Sequence, residues 1–183
     1  MDDELLAYIV DKAVIFGRFK LPTGEISPNP FHVDMRTVTF NARMNRIISR
    51  RLLEATSDLS FDAAGGMELG AVPVACGLMA EAATDGRFID AFAVRKKRKE
   101  TGTRKIVEGP DLAGKSILIV EDTCNSGRSA LAAVEAVNAM GARVVGVATV
   151  VARGGFAEFR HLGLPYRFLY SEIDISEAIA QLT

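Results

Sequence analysis

The chain has few cysteines and no long apolar run. Only two of its 183 residues are cysteines, Cys76 and Cys124, and they lie far apart in the sequence. This argues against a disulfide framework and a cysteine-based zinc site, and it is typical of a reduced, cytoplasmic protein. No apolar run approaches the ~18 residues of a membrane span. The N-terminal segment 1–4 (Met-Asp-Asp-Glu) is acidic, whereas a signal peptide begins with basic residues. We therefore expect a cytoplasmic protein with no membrane partner.

An excess of charge of one sign is also absent. Lysine and arginine total 22, aspartate and glutamate total 23, and the net charge is −1. This balance argues against a general nucleic-acid binder, so we expect no nucleic-acid partner. Two common phosphate-binding motifs, G-x-x-x-x-G-K-[ST] and G-x-G-x-x-G after a strand, are missing from the sequence. The content of 49% hydrophobic and 25% charged residues is ordinary for a globular protein.

Helical and strand patterns alternate along the chain and predict an α/β fold. Apolar periodicity predicts helices over 3–16, 38–55, 71–83 and 129–140, and short aliphatic runs predict strands over 61–64, 88–94, 115–121, 143–151 and 166–170. Such alternation is typical of a mostly parallel central sheet flanked by helices. Several prolines in residues 17–34 predict a small N-terminal hood, or flap, over the carboxyl edge of the sheet. We expect a single domain over residues 1–183, with a helix plus hood in 1–36 and the core in 37–183.

The most informative segment is residues 117–129, with the sequence ILIVEDTCNSGRS. A buried strand ends in two carboxylates, Glu121 and Asp122, and a loop of small residues, 123–129, leads into a helix. Ligands of open α/β sheets bind beyond the carboxyl ends of the strands, and a helix N-terminus offers N–H groups to a phosphate. Because carboxylates repel phosphate, the acidic pair should contact hydroxyls or a hydrated metal ion beside it. A ribose 5-phosphate meets both requirements.

Other interpretations of this segment are possible. The plainest is a buried strand, a solvated turn at the acidic pair and an ordinary capped helix. The acidic pocket of a receiver domain is disfavoured, because no second aspartate ends another predicted strand. A helix N-terminus would lower the thiol pKa of Cys124, but we interpret this cysteine as a small loop residue.

Seven of the residues between 95 and 105 are cations, and they follow the predicted strand 88–94 directly. A solvated surface, a nuclear localisation signal and an RNA-binding patch are each compatible with such a run. In a chain of nearly balanced charge, this concentration of cations also suits a concentrated negative charge. A diphosphate is one example of such a charge. When it departs as a leaving group it gains negative charge, so cations that close on it would stabilise the transition state.

Residues 120–127 resemble the 5-phosphoribosyl-1-diphosphate (PRPP) motif of type I phosphoribosyltransferases. Those enzymes exchange a diphosphate for a nitrogenous base at ribose C1, with Mg²⁺ bound to the substrate. Residues 94–109 are similar to the catalytic loop of orotate phosphoribosyltransferases, which make orotidine 5′-monophosphate in pyrimidine biosynthesis. In that family the loop reaches into the partner subunit, so the resemblance implies a homodimer that shares residues 95–108. Further segments, 17–24, 33–36, 65–75 and 146–153, resemble the family's hood, diphosphate turn and base-reading strand.

The resemblance implies the type I phosphoribosyltransferase fold and a role for each motif residue. The catalytic residues would be Arg95, Lys96, Lys99 and Asp122. PRPP would be bound by Glu121, Asp122, Thr123, Cys124, Asn125, Ser126, Gly127, Arg128, Ser129 and Gly66. The base would be bound by Asn125, Arg153 and Phe31. Magnesium would be held mainly through the substrate, near Glu121 and Asp122.

For three of these residues a simpler interpretation stays open. The glycine pair at 65–66 could mark a turn with positive φ. Arg153 could be a surface residue after an apolar strand. Phe31 could belong to the core of the hood, while it and His32 could equally form a stacking wall for the base.

The chain departs from the usual orotate pattern at several positions. Pro22, Thr101, Asn125 and Ala152 stand where the family generally has lysine, histidine, threonine and aspartate, and Leu69 replaces a frequent lysine. The changes lie near the catalytic loop and the base, so the accepted base stays open. Alternatives are a phosphoribosyltransferase for a different base and a non-catalytic PRPP- or nucleotide-binding paralogue. RNA binding through residues 95–105 would leave the acidic pair without a role.

Overall fold

A six-stranded sheet forms the centre of the molecule. The computed structural model describes residues 3–19, 24, 26, 30–97 and 105–181. In chain order the elements are α1 (Glu4–Lys12), β1 (Val14–Phe16), β2 (Phe31–Val33), α2 (Arg36–Thr39), α3 (Ala42–Ala55), β3 (Ala63–Met67), α4 (Ala71–Thr84), β4 (Asp90–Val94), β5 (Val107–Glu108), β6 (Ser116–Cys124), α5 (Arg128–Asn138), β7 (Arg143–Ala152), α6 (Phe156–His161), β8 (Tyr166–Ser171) and α7 (Glu172–Ala180).

The large sheet has the strand order β5-β4-β3-β6-β7-β8. All neighbouring strands are parallel except β4 and β5, which pair antiparallel at one edge. The mostly parallel sheet expected from the sequence is therefore confirmed. β6 lies in the interior of the sheet between β3 and β7, so the acidic pair near its carboxyl end is placed centrally.

Two hydrophobic cores cover the two faces of the sheet. Successive strand residues point to opposite faces. Accordingly Leu118 and Val120 belong to one core, and Ile117 and Ile119 belong to the other. The first core is completed by α1, α3, α4 and α7, and the second by α5 and α6, through Leu5, Ile9, Met44, Ile48, Leu52, Val74, Leu78 and Ile175 on one side and Ala133, Val137 and Phe159 on the other. β7 is buried from Gly146 to Ala152, as its apolar sequence predicts.

The N-terminal helix is shorter than predicted. α1 ends at Lys12, and residues 14–16, which were expected to continue it, form β1 instead. β1 pairs antiparallel with β2, with Val14 opposite Val33 and Phe16 opposite Phe31. Branched and aromatic side chains favour such a ladder, and their apolar spacing alone fits either element. The predicted helix over 38–55 is likewise two helices, α2 and α3, and the Asn41 side chain caps the second.

Besides β1 and β2, three further elements were not predicted from the sequence. The edge strand β5 and the helix α6 are short, which leaves little periodicity to detect. The helix α7 is preceded by a capping box, in which Ser171 and Asp174 exchange hydrogen bonds with each other's backbone. Within the described part of the chain, no helix combines the length and apolar character needed to span a membrane.

Candidate active site

The 123–129 loop comprises the last two residues of β6, the connecting turn 125–127 and the first two residues of α5. It surrounds a cavity of about 160 Å³, lined by Glu121, residues 123–129 and Ala130. Gly127, the residue before α5, has a φ of 74°, a conformation that favours glycine. A Cβ at this position would also lie 3.3 Å from the Cα of Gly155 and 3.3 Å from Cζ of Phe159. The turn into α5 therefore requires glycine.

The first turn of α5 presents backbone N–H groups at this cavity. The N–H groups at the start of a helix have no acceptor within the helix. In α5 the N–H of Leu131 donates to the Gly127 carbonyl at 2.8 Å, so the N–H groups of residues 128–130 precede the first bonded one. No side chain among the described residues caps this helix. Together with the Arg128 guanidinium, which donates to Ser126 Oγ at 3.3 Å, the loop is suited to an anion.

A second glycine-containing turn, residues 153–155, supports the loop from behind. The backbone N–H of Arg153 donates to the Cys124 carbonyl at 2.7 Å. A Cβ on Gly154 would lie 1.9 Å from the Asn125 carbonyl oxygen, and one on Gly155 would lie 2.8 Å from Cys124 Sγ. Such separations leave no room for a side chain, so both glycines are needed for the two turns to meet.

Glu121 lines the loop cavity, Asp122 follows it in β6, and the pKa values of both carboxyl groups are raised. Burial, and to a smaller extent the charge of the neighbouring Asp122, raise the pKa of Glu121 to about 8, although a hydrogen bond from the Met67 backbone lowers it. Burial also raises the pKa of Asp122, against the N–H of Thr123, which donates to its Oδ1 at 2.6 Å. Burial thus disfavours the ionised form of both acids, at a position where a hydroxyl or a cation could contact them.

Two buried polar atoms beside the cavity make no hydrogen bond to the described residues. They are Oε1 of Glu121 and Oγ1 of Thr123. Buried polar atoms are normally paired, and both residues line the loop cavity. A polar ligand in this cavity could therefore form hydrogen bonds with both atoms.

A second cavity of about 270 Å³ adjoins the acidic pair. It is lined by residues 32–36 of the N-terminal part, residues 67–70, Lys96, residues 121–123, Asn125 and Ser129. Residues 32–36, at the end of the predicted hood, therefore lie beside the carboxyl edge of the sheet. Asp34 and Arg36 form a bidentate ion pair in this wall, with N–O distances of 2.7 and 2.8 Å. The Arg36 guanidinium keeps the pKa of the Asp34 carboxyl below its usual value.

Comparison with known proteins identifies the family. The model of the phosphoribosyl transferase domain matches residues 40–177. Orotate phosphoribosyltransferase of Streptomyces avermitilis is 45% identical over 181 residues, which cover 96% of this chain and 98% of that protein. The chain belongs to the orotate phosphoribosyltransferase family. The corresponding enzyme of Corynebacterium glutamicum is also 45% identical, over 94% of this chain and 92% of its own length.

Solved structures of orotate phosphoribosyltransferases have the same fold. The Mycobacterium tuberculosis enzyme in complex with Fe(III) dicitrate has a TM-score of 0.82 at 39% identity, covering 94% of this chain and 97% of that one. The same enzyme in complex with PRPP has a TM-score of 0.79 at 37% identity, with the same coverage. The type I phosphoribosyltransferase fold and the orotate resemblance inferred from the sequence are therefore confirmed.

The structure places most of the predicted PRPP residues around the two phosphoribosyltransferase cavities. Residues 123–129 and Glu121 line the first, and Asp122, Asn125 and Lys96 line the second. Arg95 directly follows β4, and its Nη1 lies 3.7 Å from Oε1 of Glu108. Lys99, Pro22 and Thr101 fall outside the described residues, so their predicted effects stay predictions.

Two local predictions are wrong. Gly65 and Gly66 lie within β3 rather than in a turn. A Cβ on Gly66 would lie 2.2 Å from the Val120 carbonyl oxygen, so glycine lets β3 approach β6, and the linings of the two cavities do not include it. Cys124 is the last residue of β6, and it lies neither in the connecting turn 125–127 nor at the start of α5. Burial raises the pKa of its thiol.

The predicted base-binding residues Arg153 and Phe31 contact each other. Phe31 lies in β2 and is buried in the first core, and the Arg153 guanidinium carbon lies 5.3 Å from the centroid of its ring. Arg153 is not a surface residue, since its side chain is only 9% exposed, and it forms an ion pair with Glu172 at 2.7 Å. Of the alternatives for Phe31, the structure favours the hood core, while His32 lines the second cavity.

Three residues that contact the predicted site residues were not predicted from the sequence. The Glu68 carboxylate accepts the backbone N–H of Lys96 at 3.1 Å and so fixes the start of the basic segment. A Cβ on Gly70 would lie 2.6 Å from Asp122 Oδ1, so this glycine makes room for the acid. Glu172 pairs with Arg153. The signal that was available for Glu172 is the capping box that begins α7, which places it in the first turn after the last strand.

Proposed function

We propose that this protein is an orotate phosphoribosyltransferase, which transfers ribose 5-phosphate from PRPP to orotate and releases diphosphate. The product would be orotidine 5′-monophosphate, in pyrimidine nucleotide biosynthesis. The observation that carries this proposal is the acidic pair at the end of β6, directly before a loop whose helix N–H groups line a cavity. The whole-length similarity to named orotate phosphoribosyltransferases supports it.

The ribose 5-phosphate would be held by residues 121–129. The N–H groups of the 123–129 loop and the first turn of α5 would bind the 5-phosphate. Burial raises the pKa of Glu121 to about 8, which favours the protonated carboxyl near neutral pH when no cation is bound, and that form could donate as well as accept a hydrogen bond. Asp122 would accept the other ribose hydroxyl. The two acids would thus fix the sugar beside its phosphate.

Departure of the diphosphate would be assisted by the cations after β4. Lys96 lines the second cavity beside the acidic pair, and Arg95 lies next to it in the chain. With Lys99, which stays a prediction, these residues would neutralise the charge that develops on the leaving group. The hood forms the opposite wall of the cavity and would limit the access of water to the reacting C1 carbon.

Base recognition would use Arg153, Asn125 and the hood. Asn125 lines both cavities, so it is placed between the sugar phosphate and the second cavity. A guanidinium can bind a carboxylate or ring oxygen through two parallel N–H donors. Phe31 would contribute by supporting Arg153 rather than by stacking on the base, since it is buried against that residue.

Magnesium is proposed as a cofactor bound mainly through the substrate. Among the residues that the structure describes, no group of three or more histidine, cysteine, aspartate or glutamate side chains could hold a metal ion. Mg²⁺ needs few protein ligands when phosphates supply the rest, and the buried, unpaired Oε1 of Glu121 beside Asp122 fits such a role. When bound, the ion would neutralise phosphate charge.

A homodimer in the cytoplasm completes the proposal. The segment 95–108 would be shared between subunits, and light scattering in solution would test the dimer. Cell fractionation would test the location.

The test is turnover of PRPP with orotate and Mg²⁺, followed by diphosphate release. Asp122→Asn should lower kcat/KM by roughly 30- to 1,000-fold, the size expected for losing one well-placed charged contact, or about 2–4 kcal/mol. Its control is Asp85→Asn, an equal change of charge at the C-terminal end of α4. An Asp122→Asn variant as active as the wild type would contradict the proposal.

A second candidate is transfer to a different base, favoured by Asn125 at the border of the two cavities and by Ala152 before Arg153. A panel of pyrimidine and purine bases separates the two, because the wrong base leaves PRPP unconsumed. A non-catalytic binding protein would instead give saturable PRPP binding by calorimetry and no diphosphate.

A further inference from the structure

Arg153 is held from two sides by residues of two other elements. Its Nη2 and Nε donate to Glu172 Oε1 at 2.7 and 3.1 Å, and the Phe31 ring lies against its guanidinium at 5.3 Å. The Arg153 side chain is 9% exposed, whereas that of Glu172 is 31% exposed. A guanidinium this buried needs a counter-charge to hold one position, and the preceding residue, Ala152, carries none.

The backbone, rather than the ion pair itself, brings Glu172 to this place. In the parallel pair β7–β8, Ala152 lies opposite Ser171. Arg153 and Glu172 are the first residues after these strands, so they lie next to each other at the edge of the sheet. Ser171 also caps α7, which puts Glu172 in the first turn, where the helix dipole favours a negative charge. The position of the Glu172 backbone is thus set by the sheet register and the helix cap, and does not depend on the ion pair with Arg153.

We propose that Glu172 is a positioning residue for base recognition, which orients the Arg153 guanidinium. This inference rests on the proposed function and deepens it. A guanidinium has five N–H donors in a planar fork. Glu172 engages the edge formed by Nε and Nη2, and the Phe31 ring covers one face. The Nη1 donor would then be left for a planar acceptor, and the substrate class would be a pyrimidine that carries a carboxylate or carbonyl there.

The test compares Glu172→Ala and Glu172→Gln with the wild type in steady-state kinetics with PRPP and orotate. The alanine variant should raise KM for orotate on the order of tenfold, the size expected for losing a hydrogen bond between charged groups. The glutamine variant keeps an acceptor and should give a smaller rise. KM for PRPP should stay within about twofold. Glu177→Gln, the same loss of charge on an exposed position of α7, should change neither KM.

A purely structural role would not produce this split between the two substrates, so thermal unfolding is measured in parallel. The glutamine variant keeps the test decisive if the alanine variant is unstable. In an Arg153→Ala background, Glu172→Gln should have no further effect on KM for orotate, because its target is gone.

The outcomes separate the two proposals. A wild-type protein that turns over no orotate overturns the proposed function. A wild type that is active, with variants whose KM for orotate is unchanged, overturns the role of Glu172 alone. A lower KM in the variants overturns it as well, since Glu172 would then restrain Arg153 from the base.

Discussion

Replacement of Glu121 by glutamine should stabilise the protein, and the gain should grow with pH. The carboxyl group has a pKa near 4.5 in the unfolded chain and about 8 in the folded protein. Between these values the folded state keeps the proton that the unfolded state has lost, so the free energy of unfolding of the wild type falls as pH rises. Glutamine does not titrate and avoids this cost.

The magnitude follows from the two pKa values. At about 1.4 kcal/mol per pH unit, the rise in pKa corresponds to roughly 5 kcal/mol at pH 8 and above. The gain should be close to zero below pH 4.5 and should increase steadily through neutrality. Urea denaturation at pH 5, 6, 7 and 8, in EDTA and without phosphate, measures it as the difference between variant and wild type.

The control for this experiment is Glu81→Gln, which should have the opposite sign. The Arg50 guanidinium lowers the pKa of Glu81, as does the charge of Arg46. The ionised carboxylate therefore stabilises the folded state above its unfolded pKa, and that contribution is lost as pH falls through the folded value. A difference between Glu121→Gln and wild type that stays constant from pH 5 to pH 8 would refute the reasoning.

Two glycine substitutions test the cavities. Gly127→Ala should lower the free energy of unfolding by about 1–3 kcal/mol and weaken PRPP binding in calorimetry, because of its positive φ and its close neighbours. Gly114→Ala has the same φ of 74° but open space around it, so it should reproduce the strain without the loss of binding; equal binding losses would contradict the steric argument. Gly70→Ala should reduce turnover at least tenfold, since its Cβ would lie 2.6 Å from the carboxylate of Asp122. Unchanged kinetics would show that the acid has room to move.

The strand, acidic pair and loop of residues 117–129 could be predicted because their signals are local. Four buried aliphatic residues, two carboxylates and small residues before a helix follow one another directly. By contrast, Val14 to Phe16 fit helix or strand equally, and only the partner strand 31–33 decides between them. The neighbours of Gly66 and the partner of Arg153 come from distant parts of the chain. Contacts of this kind depend on sheet register, which the sequence pattern does not encode.

The turns at 125–127 and 153–155 meet at Gly154, whose main chain packs directly against the Asn125 carbonyl. In a direct main-chain contact, a shift of one turn displaces the other, because no flexible side chain can rearrange to accommodate it. A larger residue at position 154 would displace the main chain at Asn125. This displacement would in turn move the N–H groups at the start of α5. The 5-phosphate and the base of a bound nucleotide would thus be positioned by two turns that cannot move independently.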